Sequence, residues 1–212
     1  MNEIAASRLC RSSQRLSYMN ILNLGYRSTN YYALDVKGGK LLVDCGWPGM
    51  FPEFLAVFRR KGVAAEEIRY ILVTHFHMDH AGAVQELKNR GAKLILMESQ
   101  VGFPNSMADF LRPKNLGFAE IREDDNVKLK FSESRAFLAG LGLEGEIIPT
   151  PGHSDDSVTL ILDEGFAFTG DLPPRFLVAE EDRVTRESWD RIYAHKITRI
   201  FPAHGGDGTK GN

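Results

Sequence analysis

The chain reads as an α/β protein, and three features of the sequence carry that expectation. Apolar runs of strand length, at 70–73, 93–97 and 158–162, alternate with segments whose apolar residues recur at helical spacing. Gly, Pro and Asp punctuate the ends of these runs. Five of the six histidines stand just past such ends, where an α/β protein gathers its functional groups on loops.

Residues 1–18 include Arg8, Arg11 and Arg15 but no continuous apolar stretch, so they read as a leader ahead of one domain over 19–212. Residues 30–36 are strand-like, 37–40 form a turn and 41–43 a second strand, which together make a hairpin ending at Asp44. Phe54, Val57 and Phe58 then fall on one helical face, and Gly62 ends that helix. Strand 70–73 delivers a histidine-rich loop, after which Val84 and Leu87 mark a helix that Gly91 stops. Strand 93–97 follows. Residues 98–145 hold apolar side chains without a clean period, which suits either a partly helical flap beside the site or a helix packed on the core. Order returns with strands at 146–150, 158–162 and 166–169. Thr185 is placed to cap a helix carrying Trp189, Ile192 and Tyr193, with His195 on its surface. The last strand, 199–202, runs into Ala203-His204-Gly205.

Composition narrows the function classes. With 212 residues, 43% of them hydrophobic, the chain can bury a sizeable core. A formal net charge of -2, from 26 basic and 28 acidic residues without long runs of either sign, argues against a nucleic-acid partner. No apolar stretch approaches the roughly 18 residues that span a bilayer, so no membrane is expected. The two cysteines, Cys10 and Cys45, make no disulfide framework, which fits a cytoplasmic protein. Cys45 reads as a small buried hydrophobe rather than a nucleophile.

Thr74-His75-Phe76-His77-Met78-Asp79-His80-Ala81-Gly82 holds three of the six histidines with a carboxylate between them. Neutral imidazoles and carboxylates are the usual protein ligands of zinc and similar divalent cations. An ordinary solvated loop would account for one histidine, but not for three in HxHxDH spacing.

HxHxDH, then Pro151-Gly152-His153, Gly170-Asp171 and Pro202-Ala203-His204-Gly205, in that order and preceded by the Asp44 strand, resemble the metallo-β-lactamase-fold superfamily over about residues 30–206. The metal site is similar to that of glyoxalase II. The resemblance implies a four-layer αβ/βα sandwich, with two β-sheets face to face and metals at one edge between them. It implies one metal on His75, His77 and His153, a second on Asp79, His80 and His204, and Asp171 as a bridge. Asp44 resembles the family's aspartate that orients a ligand histidine. From the residues alone a turn-capping role is the other reading.

The implied cofactor is a pair of divalent ions, zinc foremost, with iron or manganese as alternatives. The implied chemistry is attack by a metal-bound hydroxide on an ester, thioester, lactone or related small-molecule substrate, with Asp79 also orienting or protonating. A catalytically idle binding or sensing module and an iron-dependent redox enzyme are the competing readings. Asp171 stands where the best-known lactamase subclass has cysteine, and His77 where flavodiiron proteins have glutamate. Leu172-Pro173-Pro174-Arg175 replaces the arginine- and cysteine-containing stretch of persulfide dioxygenases. The short remainder after His204 lacks the helical domain of glyoxalase II, so a small stand-alone hydrolase is expected. Phe76 and Met78 are expected to face the pocket and Arg175 to meet an anionic substrate group. Core packing and a plain surface charge are the opposing readings.

Overall fold

The computed structural model describes residues 20–206 and 208–209; the expected leader and Cys10 lie outside the described residues. The elements, in chain order, are β1 (Ile21–Asn23), β2 (Tyr32–Val36), β3 (Gly39–Val43), α1 (Phe51–Arg60), β4 (Ile68–Leu72), α2 (Met78–Ala81), α3 (Val84–Lys88), β5 (Lys93–Met97) and α4 (Ala108–Leu111). After them come β6 (Val127–Leu129), α5 (Phe131–Leu141), β7 (Gly145–Pro149), β8 (Val158–Leu162), β9 (Phe166–Gly170), α6 (Arg183–Tyr193), β10 (Arg199–Pro202) and β11 (Gly208–Thr209). Six strands form one sheet in the order β1-β2-β3-β4-β5-β6, and five form a second in the order β11-β10-β9-β8-β7. In the first, β3, β4, β5 and β6 run parallel. In the second, β9 and β10 are parallel while β7, β8 and β9 alternate in direction.

Strand periodicity explains the layering. Successive side chains on a strand point to opposite faces, so a strand buried on both faces is apolar throughout and splits its residues between two cores. Leu41, Val43, Leu72, Ile95 and Met97 face the second sheet and pack with Ile147, Val158, Leu160, Phe168 and Phe201. Their neighbours Leu42, Ile71, Leu94 and Leu96 face outward against Phe54, Phe58, Val84 and Leu87 of the helices. On the far side, Ile148, Ile161 and Ala167 pack against Trp189 and Ile192 of α6. The result is helix, sheet, sheet, helix, the four-layer order expected.

Three local expectations need correction, and one left open is decided. The helix after the histidine loop is two pieces. Its first turn begins at Met78, with His77 at the N-terminal boundary, so Asp79 and His80 are helical rather than on a loop. It breaks because its end bonds elsewhere: Gly82 N–H donates to Gly46 O at 3.0 Å, Ala83 N–H donates to Cys45 O at 2.9 Å, and Cys45 N–H donates to His80 O at 2.7 Å. Thr185 does not cap α6; Asp182 does, accepting from the Thr185 N–H at 3.1 Å, and Thr185 is buried in the first turn. His195 lies past the end of α6 and is half-buried. Of the two readings of residues 98–145, the core-packed helix holds for the second half, which supplies β6 and α5, and the single flap does not. Phe131, Phe137 and Leu138 of that helix pack into the core between the sheets, with Phe137 edge-on to Tyr70 at 5.5 Å between ring centres.

Gly82 carries the helix break and with it the placement of Asp79 and His80. A Cβ there would stand 2.3 Å from Pro48 N, a backbone atom that cannot step aside. Gly82→Ala is therefore expected to destabilise the protein by roughly 1–3 kcal/mol through overpacking, although the same change in an open helix stabilises. A urea titration gives the sign: an unchanged or raised midpoint would contradict this packing.

Candidate metal centre

Apart from Asp79 and His80, which lie on α2, every residue of the expected site follows the end of a strand, and those ends lie on one edge of the sandwich. Asp44 follows β3, His75 and His77 follow β4, His153 follows β7, Asp171 follows β9 and His204 follows β10. β7, β9 and β10 point the same way, as do β3 and β4, so their C-terminal ends gather from both sheets.

Asp44 ties the first-sheet side together. It is buried, with left-handed backbone at φ +59°, and its amide still donates to Leu72 O at 2.9 Å. Its Oδ1 accepts the Thr74 N–H at 2.6 Å, and its Oδ2 accepts the Thr74 hydroxyl at 2.8 Å and His80 Nδ1–H at 2.9 Å. Because the one hydroxyl proton of Thr74 goes to Asp44, Thr74 Oγ1 is left to accept from His75 Nδ1, 3.2 Å away. Both imidazoles are thereby held with Nε2 facing the cluster. Asp44 thus bonds Thr74, thirty positions away, and orients imidazoles, rather than capping its own turn.

Gly170 brings the second sheet close. Its φ is +56° and a Cβ would meet Thr74 Oγ1 at 2.4 Å, so glycine admits the contact that sets Asp171 beside His75 and His80. His204 is oriented from another direction, by Nδ1–H donating to Ser28 O at 2.6 Å.

The resulting distances define two groups joined by Asp171. His77 Nδ1 stands 3.0 Å from both His75 Nε2 and His153 Nε2. Tetrahedral zinc at about 2.0–2.1 Å from each nitrogen separates its ligands by roughly 3.3 Å, so this spacing suits one ion. Asp79 Oδ2 stands 3.5 Å from His80 Nε2 and 3.3 Å from His204 Nε2. Asp171 Oδ2 lies 3.6 Å from His153 Nε2 and 3.3 Å from His80 Nε2, while Oδ1 lies 3.3 Å from His204 Nε2. Among the described residues three sets could hold a metal ion, namely His75 with His77 and His153, His75 with His80 and Asp171, and Asp79 with His80 and His204.

Two observations test the fit to cations. His80 Nε2 and Asp171 Oδ1 are buried side-chain atoms without a hydrogen-bond partner among the described residues, despite their close neighbours. Of the seven such atoms among the described residues, these two alone belong to the expected ligand set, where a cation would satisfy both. The electrostatics agree. Burial, with neighbouring imidazoles, pushes His75 well below the usual histidine range and keeps its lone pair free. Burial also works against a charged His80, yet Asp44 and Asp171 outweigh it and lift the group to about 10. The carboxylates thus create a demand for positive charge at His80 Nε2 that a proton or a metal ion can satisfy.

The structure brings together His75, His77, Asp79, His80, His153, Asp171 and His204, with Asp44 behind them. It moves other residues elsewhere. Phe76 is buried in the outer core of the first sheet and does not face the pocket, and Met78 is half-buried. Arg175 stands 3.7 Å from Asp190 on α6 instead of presenting a free cation. Three supporting residues escaped sequence reasoning. Thr29 Oγ1 donates to Asp79 Oδ2 at 3.0 Å, Asp156 Oδ2 accepts the Phe76 N–H at 2.7 Å, and Gln100 Nε2 donates to Val73 O at 2.8 Å. Each acts across 27 to 80 positions of sequence, and no local pattern marks such pairs.

Comparison with known proteins agrees with the geometry. The chain is 30% identical over 208 residues to a Drosophila melanogaster protein named beta-lactamase-like protein 2 homolog, covering 95% of this chain and 66% of that protein. It is 26% identical over 200 residues to the thioesterase pkgB of Emericella nidulans, covering 90% of this chain and 52% of that one. The chain thus spans between half and about two thirds of the length of these relatives. Among solved structures, a protein crystallised in a di-iron-bound form superimposes with a TM-score of 0.66 at 25% identity, covering 90% of this chain and 94% of that one. Residues 24–204 match the family model of the metallo-beta-lactamase superfamily, and the chain belongs to that superfamily.

Proposed function

We propose that the chain is a metal-dependent hydrolase of small-molecule esters or thioesters, with one divalent cation on His75, His77 and His153 and a second on Asp79, His80 and His204, bridged by Asp171. The observation that carries this reading is the pair of orphaned buried atoms, His80 Nε2 and Asp171 Oδ1, inside a ring of imidazole nitrogens. Bound there, divalent cations would supply Lewis acidity, polarising a carbonyl oxygen and lowering the pKa of water.

The protein's own part is orientation and proton handling. Asp44, Thr74 and Ser28 fix which nitrogen of His80, His75 and His204 faces inward. Asp79 stands half-buried at the rim, where it can hold a proton during breakdown of a tetrahedral intermediate. No serine or cysteine nucleophile is required, and Cys45 is fully buried with its thiol pushed up by burial and by Asp44. Thioesters lead the substrate panel because one relative is named a thioesterase. Zinc leads the metals, and the di-iron-bound neighbour makes iron the alternative.

Protein grown without added metal should carry close to two equivalents of metal per chain by mass spectrometry. Chelation should abolish thioester turnover and lower the melting temperature, because the ions bind only the folded state. His77→Ala should abolish turnover while circular dichroism stays unchanged. A fully loaded protein inert toward thioesters, esters, lactones and phosphodiesters would instead be a binding module, and an iron-loaded one that consumes a reductant would be a redox enzyme.

Thr29→Val should weaken binding at the Asp79 side by about tenfold, as loss of a supporting contact does, while Thr29→Ser retains affinity. Competition with a chromogenic chelator resolves the weaker of the two binding steps. Equal affinity in wild type and valine variant would remove Thr29 from the centre.

A further inference from the structure

We infer that the cleft beside His204 binds an anionic group through Arg27 and Lys61, so that the substrate is an ester or thioester carrying a carboxylate or phosphate apart from its scissile carbonyl. The substrate rests on the hydrolase reading above; the anion site does not.

The cleft, of about 640 Å³, opens between the β1–β2 connection and the end of α1, and its walls include Asn23, Arg27, Asn30, Lys61 and His204. One wall is thus a residue of the proposed metal centre. The lining contains no carboxylate, so the two cations are uncompensated there. Among the described residues neither Arg27 nor Lys61 forms an ion pair with a carboxylate, and the guanidinium rests on Met50 Sδ at 3.7 Å.

The backbone of Arg27 supplies an independent observation. It occupies a two-residue turn closed by Tyr26 N–H to Thr29 O at 3.2 Å and Thr29 N–H to Tyr26 O at 3.4 Å, with φ at +57°. Glycine or asparagine suits that position, and arginine there costs backbone energy. The side chain is exposed and meets the Met50 sulfur, so burial does not explain its choice. Strain at a cleft wall points to use of the side chain. A guanidinium fork matches the paired oxygens of carboxylate or phosphate, and the lysine adds a compact charge. Two cations in a cleft, in a chain of net charge -2, suit one small anion rather than a polyanion.

The test uses the metal-loaded full chain and three matched probes: a neutral S-ethyl acyl thioester, the same thioester with a terminal carboxylate, and one with a terminal phosphate. Wild type should favour at least one anionic probe by roughly tenfold in kcat/KM, mainly through KM, as a charge-assisted contact provides. Which anionic probe is favoured distinguishes carboxylate from phosphate. Arg27→Gly, which relieves the left-handed strain, and Lys61→Gln should each reduce that preference about fivefold, whereas Arg175→Gln should keep it. Calorimetry with glutarate and with inorganic phosphate reads the cleft without turnover. If no probe is hydrolysed but Arg27→Gly still loses anion affinity, the cleft stands and the hydrolase reading falls. Equal kcat/KM for neutral and anionic probes, with anion affinity unchanged in both variants, would overturn the inference, as would a preference lost only in Arg175→Gln.

Discussion

The Asp44 carboxylate, buried between two strand ends and a one-turn helix, is the interaction on which the site depends. An isolated carboxylate at that depth would be too costly to keep charged, and three donors compensate it: the Thr74 amide, the Thr74 hydroxyl and the His80 imidazole. Each donor also fixes something the site needs. The amide holds the turn after β4, the hydroxyl sets the direction of His75, and the imidazole sets that of His80. Its left-handed backbone, strained for a residue with a side chain, is held because the surrounding contacts over-determine it.

The two sheets contribute through their edges, and the rigidity of the centre follows from their packing. Alternation divides each inner strand between the central core and an outer one, so a strand cannot slide without moving apolar residues to the wrong face. The strand ends are held in register from within. Asn30 reinforces the join between sheets, its N–H donating to Ala203 O at 2.7 Å and its side-chain amide to Gly205 O at 2.8 Å, which ties the β1–β2 connection to the loop carrying His204. The same short stretch supplies Ser28 to His204 and Thr29 to Asp79. One connection thus reaches both Asp79 and His204 of the second group.

Strands and the clustered histidines and aspartates were legible in the sequence because their signals are local. The apolar runs at 70–73, 93–97 and 158–162 need no knowledge of their neighbours, and HxHxDH places three histidines and an aspartate in six residues. What was hidden depends on contacts between distant segments. The break after His80 comes from carbonyls of Cys45 and Gly46, which no helical pattern near Gly82 reveals. The core-packed helix left open for residues 98–145 is α5, but its bounds were not placed, although Phe131, Leu138 and Leu141 share a face, Glu133 accepts the Lys130 N–H and Gly142 ends the helix at φ +88°. Exposed apolar side chains before it, Val101 and Phe110, blurred that period. Phe76 shows the reverse failure, since proximity to ligands in sequence says nothing of direction. Asp156 holds its amide while its ring turns into the core.

Exposure is uneven around the centre, and this bears on how a substrate can approach. His75 and His80 are buried and form a floor, whereas the side chains of His153 and His204 are 30% and 42% exposed and stand at opposite rims. Asp171, 14% exposed, lies between the rims and faces both groups of nitrogens. The carbonyl of a substrate of the proposed hydrolase would therefore arrive between His153 and His204, with the remainder of the molecule extending past one rim. On the His204 side it meets a cleft with two uncompensated cations and no carboxylate. That rim differs from the floor in exposure: the floor is built from buried imidazoles whose direction is fixed by Asp44 and Thr74, and the rim from an exposed His204, held by Ser28, beside the exposed side chains of Arg27 and Lys61.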